Sequence, residues 1–211
     1  FNTVDGASSA NTVGGDNNVV ADSDSNDVSG GGNEVVSSHG NGVSGTDNTL
    51  FNTTNNIVGG TENTILDGGN NSVVGEGNFL DPSFNNDVSG LNNDLINSDN
   101  NNVTGEENSL SESDGNQVAG YGNSLNFASD NTVAGDDNLV QNAWDNTVAG
   151  NSNSVIEGAD SNTVAGTDNT VDDSDDNTVA GESNELVNES DRNTVAGSNN
   201  SLDNASDNTV A

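Results

Sequence analysis

The side chains able to do chemistry in this sequence are almost all carboxylates. There are 35 Asp and Glu against a single Lys or Arg, Arg192, with one histidine, His39, and no cysteine. Hard cations such as Ca²⁺ or Na⁺ take carboxylate oxygens. Asp130, Asp145, Asp160, Asp176, Asp191 and Asp207, with Asp175 beside them, recur just ahead of a repeated Asn. Such a column could hold cations between successive turns, or be a simply solvated acidic face; the glycine-and-aspartate nonapeptide of calcium-binding β-rolls is missing. Nucleophilic and acid–base chemistry find no support. No thiol exists, His39 reads as a surface residue, and nothing marks a pocket that would raise a carboxylate pKa. No catalytic residue and no enzymatic activity are expected. Six Asn-x-Ser/Thr acceptors, at Asn52, Asn70, Asn102, Asn188, Asn199 and Asn204, are candidates for N-linked glycans, and none belongs to the repeated Asn series.

What must position these groups is a repeat. Asn-x-Val-x-Gly begins at Asn11, Asn26, Asn41, Asn56, Asn71, Asn86, Asn101, Asn116, Asn131, Asn146, Asn162, Asn177 and Asn193, with a truncated copy at Asn208. Seven residues after each comes a weaker Asn-x-(Val/Leu/Ile), as at Asn123, Asn138 and Asn153, and Asn2 starts that series. Spacing is 15 residues over the first ten strong copies, then 16, 15, 16 and 15. The two extra residues are placed at Asp160–Ser161 and Asp191–Arg192, a phase that reads as an outward loop.

Helices are excluded, because Asn, Gly, Ser, Thr and Asp crowd every window and no 3.6-residue apolar stripe persists. Each half-repeat instead reads as a turn and a short strand with its aliphatic pointing inward. The expected fold is all-β: a two-faced parallel β-solenoid, or β-roll, of about 14 coils of 15 to 16 residues and of either handedness. At ~4.8 Å per coil it would be on the order of 65 Å long. Residues 1–211 read as a single solenoid, a segment or subunit of a longer rod. One internal ladder runs Val13, Val28, Val43 and onward to Val210; the opposing one runs from Val20 and Val35 through Leu50 and Ile65 to Leu202. At roughly 1.5 to 3 kcal/mol per fully buried aliphatic, two such ladders suffice for a chain that is only 28% hydrophobic.

The structural ladder is represented by Asn131, Val133, Gly135, Asn146, Val148, Gly150, Asn162, Val164 and Gly166. The Asn is expected to bond its own backbone two residues on and its counterpart in the next coil. The Gly is expected where φ is positive or the next coil comes close. From Asn131 onward the outward residue after the ladder Asn is always Thr: Thr132, Thr147, Thr163, Thr178, Thr194 and Thr209, with Ala134, Ala149, Ala165, Ala180 and Ala196 beside the first five. Stacked Thr suits any sheet; it also suits a surface that orders water or ice.

A net charge of −34 repels nucleic acid and acidic membranes, so neither is an expected partner. Two carboxylates ~5 Å apart repel by roughly 1 kcal/mol in water, and ~1 M salt shortens the screening length to about 3 Å. The near absence of Lys with excess Asp resembles proteins of extremely halophilic archaea. No apolar run is long enough to span a membrane. The chain opens at Phe1 in one half-repeat and closes at Ala211 in the other, which leads us to expect a processed extracellular or cell-surface protein that self-associates end to end or laterally.

"NTVAGTDNTV" at 162–171 and "NTVAGSNNSL" at 193–202 resemble the x-x-Asn-x-Val-x-Gly repeats of grass antifreeze proteins, which inhibit ice recrystallisation. The resemblance covers nearly every coil. It implies a β-roll with internal Val stacks and Asn ladders, and a flat ice-binding face rich in Thr, Ser and Val. Here Asp27, Gly42, Asp87 and Gln117 occupy corresponding outward positions, so only the Thr132–Thr209 column matches that face. The head repeats of trimeric bacterial adhesins are similar in style but differ in spacing. The leading expectation is a structural protein, a surface filament, stalk or adhesin; the alternatives are an ice-binding protein and a cation-dependent adhesin.

Overall fold

A computed structural model describes residues 1–211. The chain is all-β, without helix, and its 28 strands form parallel sheets on two sides of a β-solenoid of about 14 turns. Two compact units divide it, Phe1–Glu107 and Asn108–Ala211. Within each unit, long and short strands alternate along the chain, and each pairs with the strand next but one, so that one side collects the strong half-repeats and the other the weak ones.

The alternation expected from period two is what sets this up. In the second unit Thr132–Asp136 lies in register on Thr147–Asn151, pairing Val133 with Val148 and Gly135 with Gly150. On the other side Leu125 pairs with Val140. The first unit repeats the arrangement, with Val43 on Val58 and Leu50 on Ile65. Val28 through Val195 and Val20 through Leu186 are essentially solvent-free, and they make up nearly all of the apolar core.

Both expectations for the repeated Gly hold together. Gly135 has φ 120°, and a Cβ there would stand 2.0 Å from the carbonyl oxygen of Gly150. Up to three further positions in a 15-residue coil are left-handed, and most of them are not Gly. Between Asn123 and Asn138 they are Phe127 (49°), Asp130 (61°) and Asp137 (55°). Asn and Asp tolerate this conformation better than other L-residues, so much of the chain's Asn and Asp content answers to backbone geometry at corners.

Two expectations are corrected. The extra residues are not at Asp160–Ser161 and Asp191–Arg192. Ser161 and Arg192 hold the same left-handed corner as Asp145 and Asp176, and the added residues are Gly158 and Glu189, two residues past the ends of the short strands Ser154–Ile156 and Glu185–Val187. Each follows a residue already left-handed, giving consecutive positive φ at Glu157 and Gly158 (56° and 88°) and at Asn188 and Glu189 (55° and 59°). The second correction concerns the Asn amide. It does not reach two residues on: Asn131 Nδ2 donates backward to the Ser129 carbonyl, at 3.0 Å, and onward to the Ala143 carbonyl of the next coil, also at 3.0 Å.

A third internal column escaped the sequence reading. Ser23, Ser38 and Thr53 in the first unit, and Ala128, Ala143, Ala159 and Ser174 in the second, sit buried three residues before each strong Asn. The Ser members close hydrogen bonds that the backbone leaves open: Ser38 N donates to Ser23 Oγ at 3.0 Å, while Ser38 Oγ donates to the Val36 carbonyl at 2.7 Å. The signal was a period-15 restriction to small residues.

Candidate functional site

Built upward from the repeat, the most regular polar groups belong to the interior. Ladder Asn residues from Asn18 to Asn193 are no more than 2% exposed. Asn131 Oδ1 accepts from both the backbone N–H and the Nδ2 of Asn146, at 2.9 and 3.1 Å. The weak series does related work: Asn138 Nδ2 donates to Asn123 Oδ1 at 2.9 Å and to the carbonyl of Gly150 at 3.0 Å. A buried amide with its donors and acceptor engaged this way costs little to bury and much to remove.

The acidic set named from the sequence is separated into two columns. Asp130, Asp145, Asp176 and Asp207 occupy the left-handed corner, with φ between 58° and 63°. Asp160 and Asp191 stand one position earlier, in line with Ser129, Trp144 and Asp175. In this second column carboxylates cap backbone donors of the preceding coil. Trp144 N donates to Asp160 Oδ1 at 2.8 Å, Asp160 N to Asp175 Oδ1 at 2.8 Å, and Asp175 N to Asp191 Oδ1 at 2.9 Å. Burial pushes the Asp160 carboxyl above the usual range, the Trp144 N–H opposes this, and the charges of Asp175 and Asp145 add to the rise. In the corner column Arg192 makes a bidentate pair with Asp207, at 2.8 and 3.1 Å; that hydrogen bonding raises the guanidinium pKa and lowers that of the carboxyl. No three His, Cys, Asp or Glu side chains converge as a metal-holding group would require.

His39 is exposed in the first unit, bridged to Asp24 and Thr54. Asp24 is held below the usual carboxylate range by the Ser9 hydroxyl and N–H first, with a smaller pull from His39. The six Asn-x-Ser/Thr positions all lie on the surface. Asn102 points outward from the strand Asn102–Glu106, while Asn52, Asn70, Asn188, Asn199 and Asn204 are left-handed. Asn52 and Asn188 already donate to Asp67 and Asp203.

Thr132, Thr147, Thr163, Thr178, Thr194 and Thr209 are brought into one exposed column, each paired with the next. Ala134, Ala149, Ala165, Ala180 and Ala196 form the parallel column two residues on. Neither column contains a carboxylate. The result is a regular uncharged face in a strongly anionic chain.

Asp94 is a site that the sequence reading did not single out. It points outward from the short strand Asp94–Ile96 beside Phe79, and its Oδ1 has no hydrogen-bond partner. Burial raises its pKa. An acid whose folded pKa lies above its unfolded one binds protons more tightly when folded, so its penalty is absent at low pH and grows as pH rises through the raised value. Asp94→Asn should therefore raise the thermal midpoint at neutral pH, and the difference from wild type should shrink as pH falls below the ordinary carboxylate range. Parallel melts across pH check this.

No protein-family model matches this chain, and no curated protein matches it. Among solved structures, the chain is aligned with the polySia-specific acetyltransferase NeuO at 12% identity and a TM-score of 0.18, over 95% of this chain and 74% of that one. A likeness that low carries no argument about fold or function.

Proposed function

We propose that this is a non-enzymatic structural protein: an acidic β-solenoid that serves in an extracellular surface filament, stalk or adhesin and associates with copies of itself. The observation that carries this reading is the fate of the repeated polar groups. The Asn residues that a binding or catalytic protein would present to a ligand are spent inside, coil on coil, at 2% exposure or less. What the chain repeats is therefore its own architecture. The carboxylates outside keep such a scaffold hydrated, and concentrated salt relieves their repulsion. Electron micrographs of the chain at ~1 M salt, where screening acts within about 3 Å, should show assemblies of several copies; short, monodisperse monomers alone would contradict the proposal.

A second reading, ice binding, is favoured by one observation, the in-register Thr column with its uncharged Ala neighbour. Under that reading the protein shapes ice crystals and produces thermal hysteresis, and Thr147→Asp, which puts a charge in the middle of the face, abolishes both. Ice activity that survives Thr147→Asp would remove the Thr column as its site.

A further inference from the structure

The long-strand side of the first unit carries an apolar patch that the proposed scaffold role leaves unexplained. Ile57 is 66% exposed and Val74 52% exposed. One coil below Ile57, in register with it, stands Gly42, and beside it on the same strand Gly59. The missing side chains leave a shallow depression of about 220 Å³ lined by Asp27, Ser29, Gly42, Ser44 and Ile57. A protruding side chain and a depression thus lie one coil apart in a single column.

We propose that this face packs against the same face of a second copy, around a two-fold axis parallel to the strands and midway between the Gly42 and Ile57 rungs. The inference rests on the self-associating scaffold reading and names the contact. The two-fold seats Ile57 of each copy in the other's Gly42 depression and places Ser44 opposite Gly59 and Ser29 opposite Val74. Charge limits the occupant. Two chains of net charge −34 repel, and they approach most readily where carboxylates are sparse and do not face one another. The two central rungs, Gly42–Thr46 and Ile57–Thr61, hold none; the flanking Asp27, Asp87 and Glu76 fall opposite Ser72, Thr12 and Gly31 rather than opposite one another. A basic partner would be drawn to the acidic corners instead.

Six rungs at ~4.8 Å, each five residues wide at ~3.3 Å, give on the order of 450 Å² per partner. The total, about 900 Å², places the contact among weak, transient interfaces. Sedimentation equilibrium of the full chain at ~1 M salt, carried to about 1 mM protein, should accordingly show a monomer–dimer equilibrium, since surface repulsion is then screened. Ile57→Ala and Gly42→Ile should each raise the dissociation constant at least tenfold. Gly42 lacks a positive φ and a Cβ there meets nothing, so the second variant keeps its fold. An equimolar mixture of the two should recover association, because the Ile at 42 of one fills the space left at 57 of the other while the remaining contact is native. Gln117→Ala, exposed in the other unit, should leave the association unchanged. A monomeric wild type, single variants that associate normally, or a mixture that fails to recover would each overturn the proposal. Micrographs of the same samples separate it from the scaffold reading: longer assemblies persisting in Ile57→Ala with dimerisation unchanged leave the scaffold standing and sink this face, whereas dimers that dissociate as expected but never form longer assemblies support the face and count against the scaffold.

Discussion

Asn131→Ala should destabilise the protein by roughly 3 to 5 kcal/mol, although residue 131 touches no ligand in the proposed account. The substitution removes an acceptor that serves two donors of Asn146 and a donor that serves the carbonyls of Ser129 and Ala143. The backbone N–H of Asn146 then has no partner in a place water does not reach, and an orphaned buried group costs about 1 to 3 kcal/mol by itself. The void left by the amide adds to this. Thr132→Ala, one residue along but exposed, should change stability by less than about 0.5 kcal/mol. Denaturant melts of the two variants make the comparison, and equal effects would contradict a buried ladder.

Gly135→Val should cost on the order of 4 kcal/mol or more, because two penalties combine. The backbone is held at φ 120°, where L side chains are strained, and the new Cβ would be driven to 2.0 Å from the Gly150 carbonyl oxygen. That carbonyl also accepts the Asn138 amide, so moving it breaks the second ladder. Gly42→Val provides the contrast: it has neither constraint and should be close to neutral. Hydrogen exchange should show protection lost around Gly135 and Gly150 in the first variant and retained in the second.

Much of this was legible from spacing alone, and the reason is physical. In a parallel solenoid each residue meets its own counterpart in the next coil, so positions under strict demand repeat in identity. Val133, Asn131 and Gly135 answer to volume, hydrogen bonding and a left-handed backbone respectively, and each demand admits nearly one residue type. The small column was missed because its demand is for size: Ser38, Thr53, Gly68 and Ala128 all satisfy it, so the letter changes along the column even though Ser is the commonest. The inserted residues were placed beside the Asn because Asp160 and Asp191 look like the corner carboxylates. In the fold those corners belong to Ser161 and Arg192, and the slack is absorbed where the short strand ends, at Gly158 and Glu189. The acidic set misled for the same reason, since a carboxylate at a left-handed corner and one capping a neighbouring backbone N–H share a letter while doing different work. The Thr column, by contrast, was placed correctly, because strand alternation fixes which side chains face out.

The repeated residues exist for the rungs above and below them. A double-mutant cycle on Asn131→Ala and Asn146→Ala tests this most directly, with Asn131→Ala and Asn177→Ala, which do not touch, as reference. Adjacent rungs should couple by about 1 to 2 kcal/mol, and the separated pair should be additive to within about 0.5 kcal/mol. Additivity in both cycles would mean that the Asn residues do not act as a ladder, and the structural account would fail with it.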